Sequence, residues 1–432
     1  MKGKFKKNVG LIILLIIALV FPTSLNYQAR LNMRIIVTGI AIDKQDDDYK
    51  VTAQIVKATP GNESPGTSAE IDFITDTASN LSEAVSKLAY KSGKVSAFSH
   101  TNFVIIGKSL FEEDLTKVLD YFIRDKIIKN SALLLFAEDK AEDEIQKTKN
   151  MDLSVGIGLQ KVFLFKENES DGLMVTLIDF LNENKMYSGS AVASELSLKS
   201  NKDSAENQSS SGGSSGASSG SSDSGNQSAG SSSSSSGGSS SQSGSSGSGG
   251  GNENQYFEPQ APIVCFVGGK FKGKIEDEES VRGFMLANKN SKMKDITLDS
   301  VNAGRMKDVR VEIAVKSKKN KFKIRYENQI PCLDVYVNIN KAEINEIVTD
   351  EIIASLTDEE YDAVKDAVKK AVEKDVAKCF ETAKGFGCDI FNAYELAYKF
   401  KYKATMKHYK TPEEFLNGLR LNVVVNVNQM DY

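Results

Sequence analysis

The feature that most constrains this 432-residue chain is a long segment made almost entirely of serine and glycine. Residues 199–254, here called the serine-glycine segment, contain Ser, Gly, Asn and Gln with scattered charged residues. Such a sequence cannot bury enough apolar surface to offset the entropy of ordering it, so we expect disorder. As a flexible coil of ~55 residues it has a root-mean-square span of about 40 Å. It is either a tether between two halves or a long insertion in a surface loop.

The chain around this segment is too long for one ordinary core, so we expect two or three domains. The predicted division is an N-terminal signal or anchor at residues 1–26 and an α/β region at residues 27–198. A linker or insertion at residues 199–257 then leads to an α+β region at residues 258–432.

The first residues have the order of a secretory signal, with four lysines before an apolar run at residues 9–21. The run of about 13 residues is shorter than the roughly 20 that span a bilayer. No small-x-small cleavage site follows it, so an uncleaved anchor is slightly favoured over a removed signal peptide. We then expect the chain after residue 30 to lie outside the cytoplasm. The expected anchor residues are Val9, Leu11, Ile12, Leu14, Ile16, Leu19 and Phe21.

Strand and helix patterns alternate before the serine-glycine segment. Residues 35–42 have the pattern of a buried strand, and residues 50–56 alternate apolar and polar side chains. Asn80 with Glu83 predicts a capping box at the start of a helix, which Gly93 ends. Further predicted elements are strands at residues 102–106 and 132–136, a helix capped by Ser109 with Glu112, and a helix at residues 173–181.

The pattern after the segment is a meander followed by a long helix. Gly268-Gly269 predicts a hairpin turn between two strands. Strict alternation at residues 309–315, 322–326 and 333–339 predicts antiparallel strands with one buried face. A capping box at Thr357 begins a helix about 40 Å long that ends at Gly385, and a last strand follows at residues 419–427. We therefore predict an α+β fold of mixed and antiparallel sheets, each packed with helices.

No motif nominates a catalytic centre. The chain has two histidines and no nucleotide-binding, nucleophile-elbow or zinc-protease signature. None of the four cysteines has zinc-ligand spacing, so buried free thiols are favoured over one or two disulfides. We expect no metal, no cofactor and no enzyme activity. The net charge of −4 shows no basic excess for a nucleic-acid partner, and we interpret the acidic run at residues 276–279 as a solvated turn.

Six short stretches occur in a specific order along the folded regions. They are residues 31–43, 49–56, 99–107, 118–125 (VLDYFIRD), 264–283 (beginning VCFVGGKFKGKI) and 387–391 (GCDIF). This series resembles the spore germination receptor C-subunits, the Ger(x)C family. The resemblance implies three subdomains, each a sheet surrounded by helices, and the continuous family body favours the insertion interpretation of the serine-glycine segment.

The resemblance also implies a location and partners. Family members lie on the outer face of the spore inner membrane with an A-type and a polytopic B-type receptor subunit. They are usually lipoproteins, but Leu25 stands near the position of the lipid-bearing cysteine, so the apolar run would have to anchor this chain. Arg124 and Asp125 have two interpretations, a helix-end salt bridge that orients the next loop or a contact with a partner. The candidate partner contacts within the six stretches are Asp43, Arg124, Asp125 and Asp389.

Three functions follow as hypotheses. The first is a non-enzymatic subunit of a nutrient-sensing germination receptor. The second is an extracytoplasmic small-ligand-binding or adaptor protein outside such a receptor, for which a partly apolar pocket would be the sign. The third is a cell-surface enzyme, which would require two facing carboxylates that the sequence does not offer.

Overall fold

Two large sheets and eight α-helices make up the described part of the chain. The structure, a computed structural model, describes residues 34–59, 68–124, 127–150, 173–196, 198–200, 255–257, 262–289, 295–348 and 355–432. These elements confirm the predicted α+β class.

The first sheet is mixed, with parallel strands in the middle and antiparallel pairs at both ends. Its order is β11-β10-β7-β6-β5-β1-β2-β3, with the short β4 paired to β1. The strands are β1 (Arg34–Gln45), β2 (Asp48–Thr59), β3 (Ser68–Ala78), β4 (Val95–Ala97), β5 (Phe103–Ile106), β6 (Leu133–Ala137), β7 (Ser190–Leu196), β10 (Ile263–Val267) and β11 (Lys270–Ile275).

Strands from both sides of the serine-glycine segment lie in this one sheet. β10 follows the segment in sequence but pairs with β7, which precedes it. The short strands that flank it, β8 (Leu198–Ser200) and β9 (Gln255–Phe257), pair with each other. Phe266 of β10 also packs against Phe136, with the ring centroids 4.7 Å apart. This pairing is what an insertion requires, and the predicted boundary at residue 258 separates strands of the same sheet.

Four helices cover the first sheet: α1 (Leu81–Ser92), α2 (Leu115–Arg124), α3 (Ala141–Lys147) and α4 (Leu177–Asn184). Asn80 caps α1 through its side chain, which accepts from the backbone N–H of Glu83, and Gly93 ends the helix at φ 63°. The cap at Asn80 and the helix end at Gly93 confirm the prediction, but of the predicted capping box the structure shows only the hydrogen bond from the Glu83 N–H to the Asn80 side chain. The largest apolar cluster lies on one face of the sheet, and a smaller cluster that includes Ile145 of α3 lies on the other.

Two predicted helix starts are wrong. Ser109 lies in a 3-10 turn (Lys108–Leu110), and its hydroxyl accepts from the backbone N–H of Lys44 at 2.8 Å. α2 begins at Leu115, after Asp114, whose side chain accepts from the backbone N–H of Thr116 at 3.0 Å. The helix predicted at residues 173–181 is α4, which begins at Leu177 because Thr176 forms a β-bridge with Leu133 and caps the helix.

The second sheet has the order β12-β13-β14-β15. Its strands are β12 (Ile296–Ala303), β13 (Met306–Glu327), β14 (Ile330–Val348) and β15 (Arg420–Asp431). The first three strands are antiparallel, whereas β15 runs parallel to β14. The antiparallel pairing of residues 322–326 with residues 333–339 is confirmed, but the strands predicted at residues 309–315 and 322–326 are one strand, β13, and β12 was not predicted. The hairpin between β13 and β14 turns at Asn328 and Gln329, which both have positive φ.

The helices of this half are α5 (Glu278–Ala287), α6 (Asp358–Gly385), α7 (Ala393–His408) and α8 (Pro412–Gly418). The predicted long helix is confirmed: Thr357 and Glu360 form the capping box of α6. α6 contacts both edge strands, β12 and β15, and therefore crosses the whole sheet. The solvated turn predicted at residues 276–279 is wrong, because Asp277 caps α5 and the glutamates that follow occupy its first turn.

The four cysteines are buried free thiols, as the sequence favoured. No helix in the described ranges is long and apolar enough to cross a membrane. The predicted anchor at residues 9–21 lies outside those ranges. The three expected subdomains remain a prediction.

Candidate interaction surface

Asp43, a predicted partner contact, serves as a helix cap. Its side chain is 7% exposed, and its two oxygens accept from the backbone N–H groups of Ala141 and Glu142, each at 2.9 Å. These are the first residues of α3, whose N–H groups would otherwise lack a partner. Burial raises the pKa of Asp43, and the two backbone hydrogen bonds act against that rise. Its partner contact stays a prediction.

Asp389 has the same role for α7. Its carboxylate accepts from the backbone N–H groups of Ala393 at 2.9 Å and Tyr394 at 2.8 Å. Its own N–H donates to the hydroxyl of Ser190 at 2.9 Å, which ties the start of α7 to β7 of the first sheet. Burial raises the pKa of Asp389.

Arg124 is exposed, in contrast to Asp43 and Asp389. Its side chain lies at the end of α2 and forms an ion pair with Asp120, one turn earlier in the same helix. The alternative prediction, a helix-end salt bridge between Arg124 and Asp125, is not tested, because Asp125 lies outside the described residues.

A contact between residues 186–190 and residues 388–396, here called the junction, joins the two halves of the chain. The backbone N–H of Tyr187 donates to Glu395 Oε2 at 3.0 Å. The hydroxyl of Ser188 donates to Asn392 Oδ1 at 3.4 Å. These hydrogen bonds, with that between Asp389 and Ser190, hold the first turn of α7 against the first sheet.

A cavity of about 320 Å³ lies beside the junction. Its lining includes Met186, Phe391 and Leu396 as apolar groups and Glu183, Glu395 and Lys289 as charged groups. Burial raises the pKa of Glu183 to about 7, although a hydrogen bond from the backbone N–H of Val192 acts in the opposite direction. The cavity therefore combines apolar walls with a carboxyl group that titrates near neutral pH.

A more open depression of about 650 Å³ lies between α1 and α2. Two carboxylates on its wall are already engaged: Glu113 forms an ion pair with Lys44, and Asp114 accepts from the backbone N–H of Thr116 at 3.0 Å. Neither of these two carboxylates is therefore free to pair with a ligand.

Tyrosine rings cluster on the outside of the junction. Tyr187 stacks on Tyr398 of α7 with 3.7 Å between ring centroids, and Tyr398 meets Tyr402 edge-on at 5.0 Å. Tyr187 and Tyr402 are each about half exposed, and the neighbouring Phe400 is 72% exposed. Exposed aromatic side chains in such a group are typical of an interaction surface.

α7 is kinked in the middle of this surface. Lys401 has non-helical backbone angles (φ −134°, ψ 30°). The buried hydroxyl of Thr405 donates to the carbonyls of Lys401 at 3.0 Å and Ala397 at 3.2 Å, and it also contacts the hydroxyl of Tyr326 at 2.8 Å. A side chain that inserts into the backbone hydrogen bonds in this way accounts for the kink.

This surface was not predicted from the sequence. The alternation of lysine with aromatic residues at 399–403 was the signal that could have found it. The contact between Tyr187 and Glu395 had no such signal, because it joins residues that are distant in sequence.

The described residues do not assemble a metal site, since no three His, Cys, Asp or Glu side chains among them are suitably placed. The buried thiol of Cys388 donates to the backbone carbonyl of Phe266 at 3.7 Å, and interaction with the Cys265 thiol together with burial raises its pKa. Because the thiolate is the reactive form of cysteine, this thiol is a poor nucleophile at neutral pH.

Known proteins match both halves of the chain. Residues 27–198 match the family described as "Spore germination protein N-terminal domain" and residues 263–429 the family described as "Spore germination B3/GerAC like, C-terminal". Spore germination protein B3 of Bacillus subtilis (strain 168) is 31% identical over 113 residues, which are 25% of this chain and 29% of that protein.

A crystal structure of the GerBC protein aligns with a TM-score of 0.47 and 16% identity over 90% of this chain and 96% of that one. The two family matches stand in chain order on either side of the serine-glycine segment and together cover most of the chain. This chain therefore belongs to the Ger(x)C family of spore germination proteins.

Proposed function

We propose that this chain is a non-enzymatic subunit of a nutrient-sensing germination receptor. It acts on the outer face of the spore inner membrane, held there by its N-terminal apolar run, in a complex with A- and B-type subunits. Membership of the Ger(x)C family supports the role in germination.

The observation that carries this proposal is the chemistry of the junction. Its polar groups are engaged in holding the fold together: Asp389 caps α7, and Glu395 accepts from Tyr187 and pairs with Lys399 at 2.9 Å. A catalytic site instead presents a nucleophile or base directed at a substrate. Tyr187, about half exposed and stacked on Tyr398 over this hydrogen-bonded base, fits a contact with a partner subunit, because protein interfaces are rich in tyrosine.

Arg124 is a second proposed point of contact. It is exposed at the end of α2 and its ion pair with Asp120 is solvent-accessible, so it contributes little to stability. Its guanidinium group can therefore turn to a partner carboxylate at small cost, and two parallel hydrogen bonds would fix that partner's orientation.

The test is affinity purification of the tagged full chain from gently solubilised spore inner membranes, followed by mass spectrometry. We expect a polytopic transporter-like protein and an A-type subunit to be recovered with it. Recovery of the chain alone, or with unrelated surface proteins of vegetative cells, would contradict the proposal.

A pair of matched variants tests the contact at Arg124. We expect Arg124→Glu to lower partner recovery several-fold, because it reverses the charge offered to the partner. Arg310→Glu is the control, since Arg310 is also exposed and pairs with a nearby carboxylate, Glu312, at 2.9 Å. Equal recovery of the partner subunits with both variants would show that Arg124 does not contribute to the interface.

The junction cavity favours a second candidate function, an extracytoplasmic small-ligand-binding protein. Its volume of about 320 Å³ suffices for a small molecule, and Glu183 could pair with a ligand amine. A thermal-shift screen of small primary amines tests this function. Stabilisation that disappears in Leu396→Trp, which fills the cavity, would support it, and the absence of any stabilising amine would reject it.

A further inference from the structure

Five successive exposed residues stand at the kink of α7. Residues 399–403 have the sequence Lys-Phe-Lys-Tyr-Lys and are here called the basic aromatic corner. A regular surface helix returns a side chain to the core every three or four residues. The helix is irregular at Lys401, and no side chain of residues 399–403 returns to the core. Phe400 is therefore 72% exposed and Tyr402 is 51% exposed.

The corner is strongly cationic within an acidic protein. Residues 399–410 contain five lysines and no Asp or Glu, whereas the whole chain carries a net charge of −4. Lys399 pairs with Glu395 at 2.9 Å. No ion pair within the described ranges engages Lys401, Lys403, Lys407 or Lys410. Several positive charges are therefore available to an external anionic surface.

The residue types favour a lipid surface over a protein surface. Protein interfaces are enriched in arginine and depleted in lysine, and residues 399–410, which include the corner, have five lysines and no arginine. Aromatic rings that lie at headgroup level, flanked by lysines whose flexible chains reach the phosphates, are characteristic of the bilayer interface. Clustered lysines are also attracted to anionic lipids.

We infer that the basic aromatic corner contacts the anionic surface of a lipid bilayer, with Phe400 and Tyr402 at headgroup level and the lysines on lipid phosphates. The inference rests on the proposed function, which places the chain beside a membrane. It adds a second contact with the bilayer, remote in sequence from the N-terminal run, that fixes how the folded body is oriented.

The chain contains no tryptophan, so a single introduced tryptophan reports on its own surroundings. We propose to reconstitute the full chain carrying Phe400→Trp into vesicles of phosphatidylglycerol and phosphatidylcholine or of phosphatidylcholine alone. Tryptophan emission and its quenching by brominated lipid are then measured. The control is Val348→Trp, because Val348 is 50% exposed and lies outside the corner on β14, two residues from Glu346.

With phosphatidylglycerol we expect the Phe400→Trp emission to shift to shorter wavelength by roughly 10 nm and to be quenched by brominated lipid, as for a ring at headgroup level. Adding Lys401→Glu and Lys403→Glu should reduce both effects at least threefold, because the attraction to anionic lipid is lost. Val348→Trp should show neither effect.

Three results would overturn the inference. They are an unshifted Phe400→Trp emission with phosphatidylglycerol, an equal shift without anionic lipid, and a shift that requires added receptor subunits, which would indicate a protein contact. Partner recovery from spore membranes tests the proposed function separately. An unshifted tryptophan emission together with normal recovery of the partner subunits would reject the bilayer contact and leave the proposed function intact.

Discussion

Asp43 and Asp389 show how buried carboxylates are used in this fold. Each accepts two backbone N–H groups at the start of a helix, where the helix dipole favours negative charge. Asp43 reaches α3 from the end of β1, and Gly107 leaves room for it, because a Cβ there would lie 1.9 Å from the Asp43 carboxylate. Three segments that are distant in sequence therefore depend on one side chain.

Replacing Asp43 with alanine should lower the free energy of unfolding by about 1–2 kcal/mol, because the first turn of α3 loses its acceptor. Denaturant titration of the purified chain measures this change. Asp47→Ala, in the exposed turn after β1, is the control and should leave the midpoint unchanged. If Asp43→Ala reduced partner recovery without a change in stability, a direct partner contact would explain it better than the cap.

Glu183 should make stability depend on pH. Its folded-state pKa of about 7 lies above the ordinary value of 4.5, chiefly because of burial. The folded state therefore holds the proton more tightly, and stability falls as pH rises from about 4.5 to 7. At pH 8 we expect the free energy of unfolding of Glu183→Gln to exceed that of the unmodified chain by about 1–3 kcal/mol. At pH 4.5 the two values should be similar.

Thermal unfolding of both proteins between pH 4.5 and 8 measures this difference. Glu373→Gln on the exposed face of α6 serves as the control and should follow the unmodified chain at every pH. A constant offset between Glu183→Gln and the unmodified chain would contradict the titration of Glu183.

At the scale of the elements, α5 and α6 are in close backbone contact at Gly283. A Cβ on Gly283 would lie 2.2 Å from the backbone carbonyl oxygen of Asp375 on α6. Asp375 also pairs with the adjacent Arg282 at 2.7 Å, and both side chains are nearly buried. The glycine and the ion pair together fix the position at which the two helices cross.

Gly283→Ala should therefore destabilise the protein by about 2–3 kcal/mol, because the backbones must separate to admit a methyl group. Gly385→Ala, near the end of α6, has open space for a Cβ and should be neutral or slightly stabilising. Denaturant midpoints of the two variants give the comparison. Equal midpoints would show that the helices adjust their spacing freely.

Local signals made some elements predictable and hid others. The caps at Asn80 and Thr357 were visible because the interacting residues are three apart. Ser109 has the same local pattern, but its hydroxyl bonds to Lys44 instead. α7 was not predicted, because its lysine and aromatic residues alternate in the period of a strand and Lys401 breaks its helical backbone.

The candidate surface was predictable only in part. Asp389 was selected through the GCDIF stretch, which does lie at the junction. Its partner Ser190 comes from the other side of the serine-glycine segment, and the cavity beside it is lined by residues from both sides. Neither spacing nor composition indicates which of two distant segments will meet, so the junction could be found only from the fold.

At the scale of the whole molecule, the serine-glycine segment interrupts one folded body. β7 and β10 pair across it, and Phe266 contributes to the same core as Phe136 and Phe180. A chain of this kind should unfold as one cooperative unit, although two families match its two halves.

Shortening the segment should therefore stabilise the protein. Ser200 and Gln255 face each other in the pairing of β8 with β9, so a six-residue Gly/Ser loop can replace the ~54 residues between them. Closing the shorter loop costs less entropy, and we expect a gain of about 2 kcal/mol in the free energy of unfolding. Calorimetry should show one transition at a higher temperature. If shortening instead split unfolding into two transitions or lowered the transition temperature, the segment would act as a tether that separates two independently folded halves.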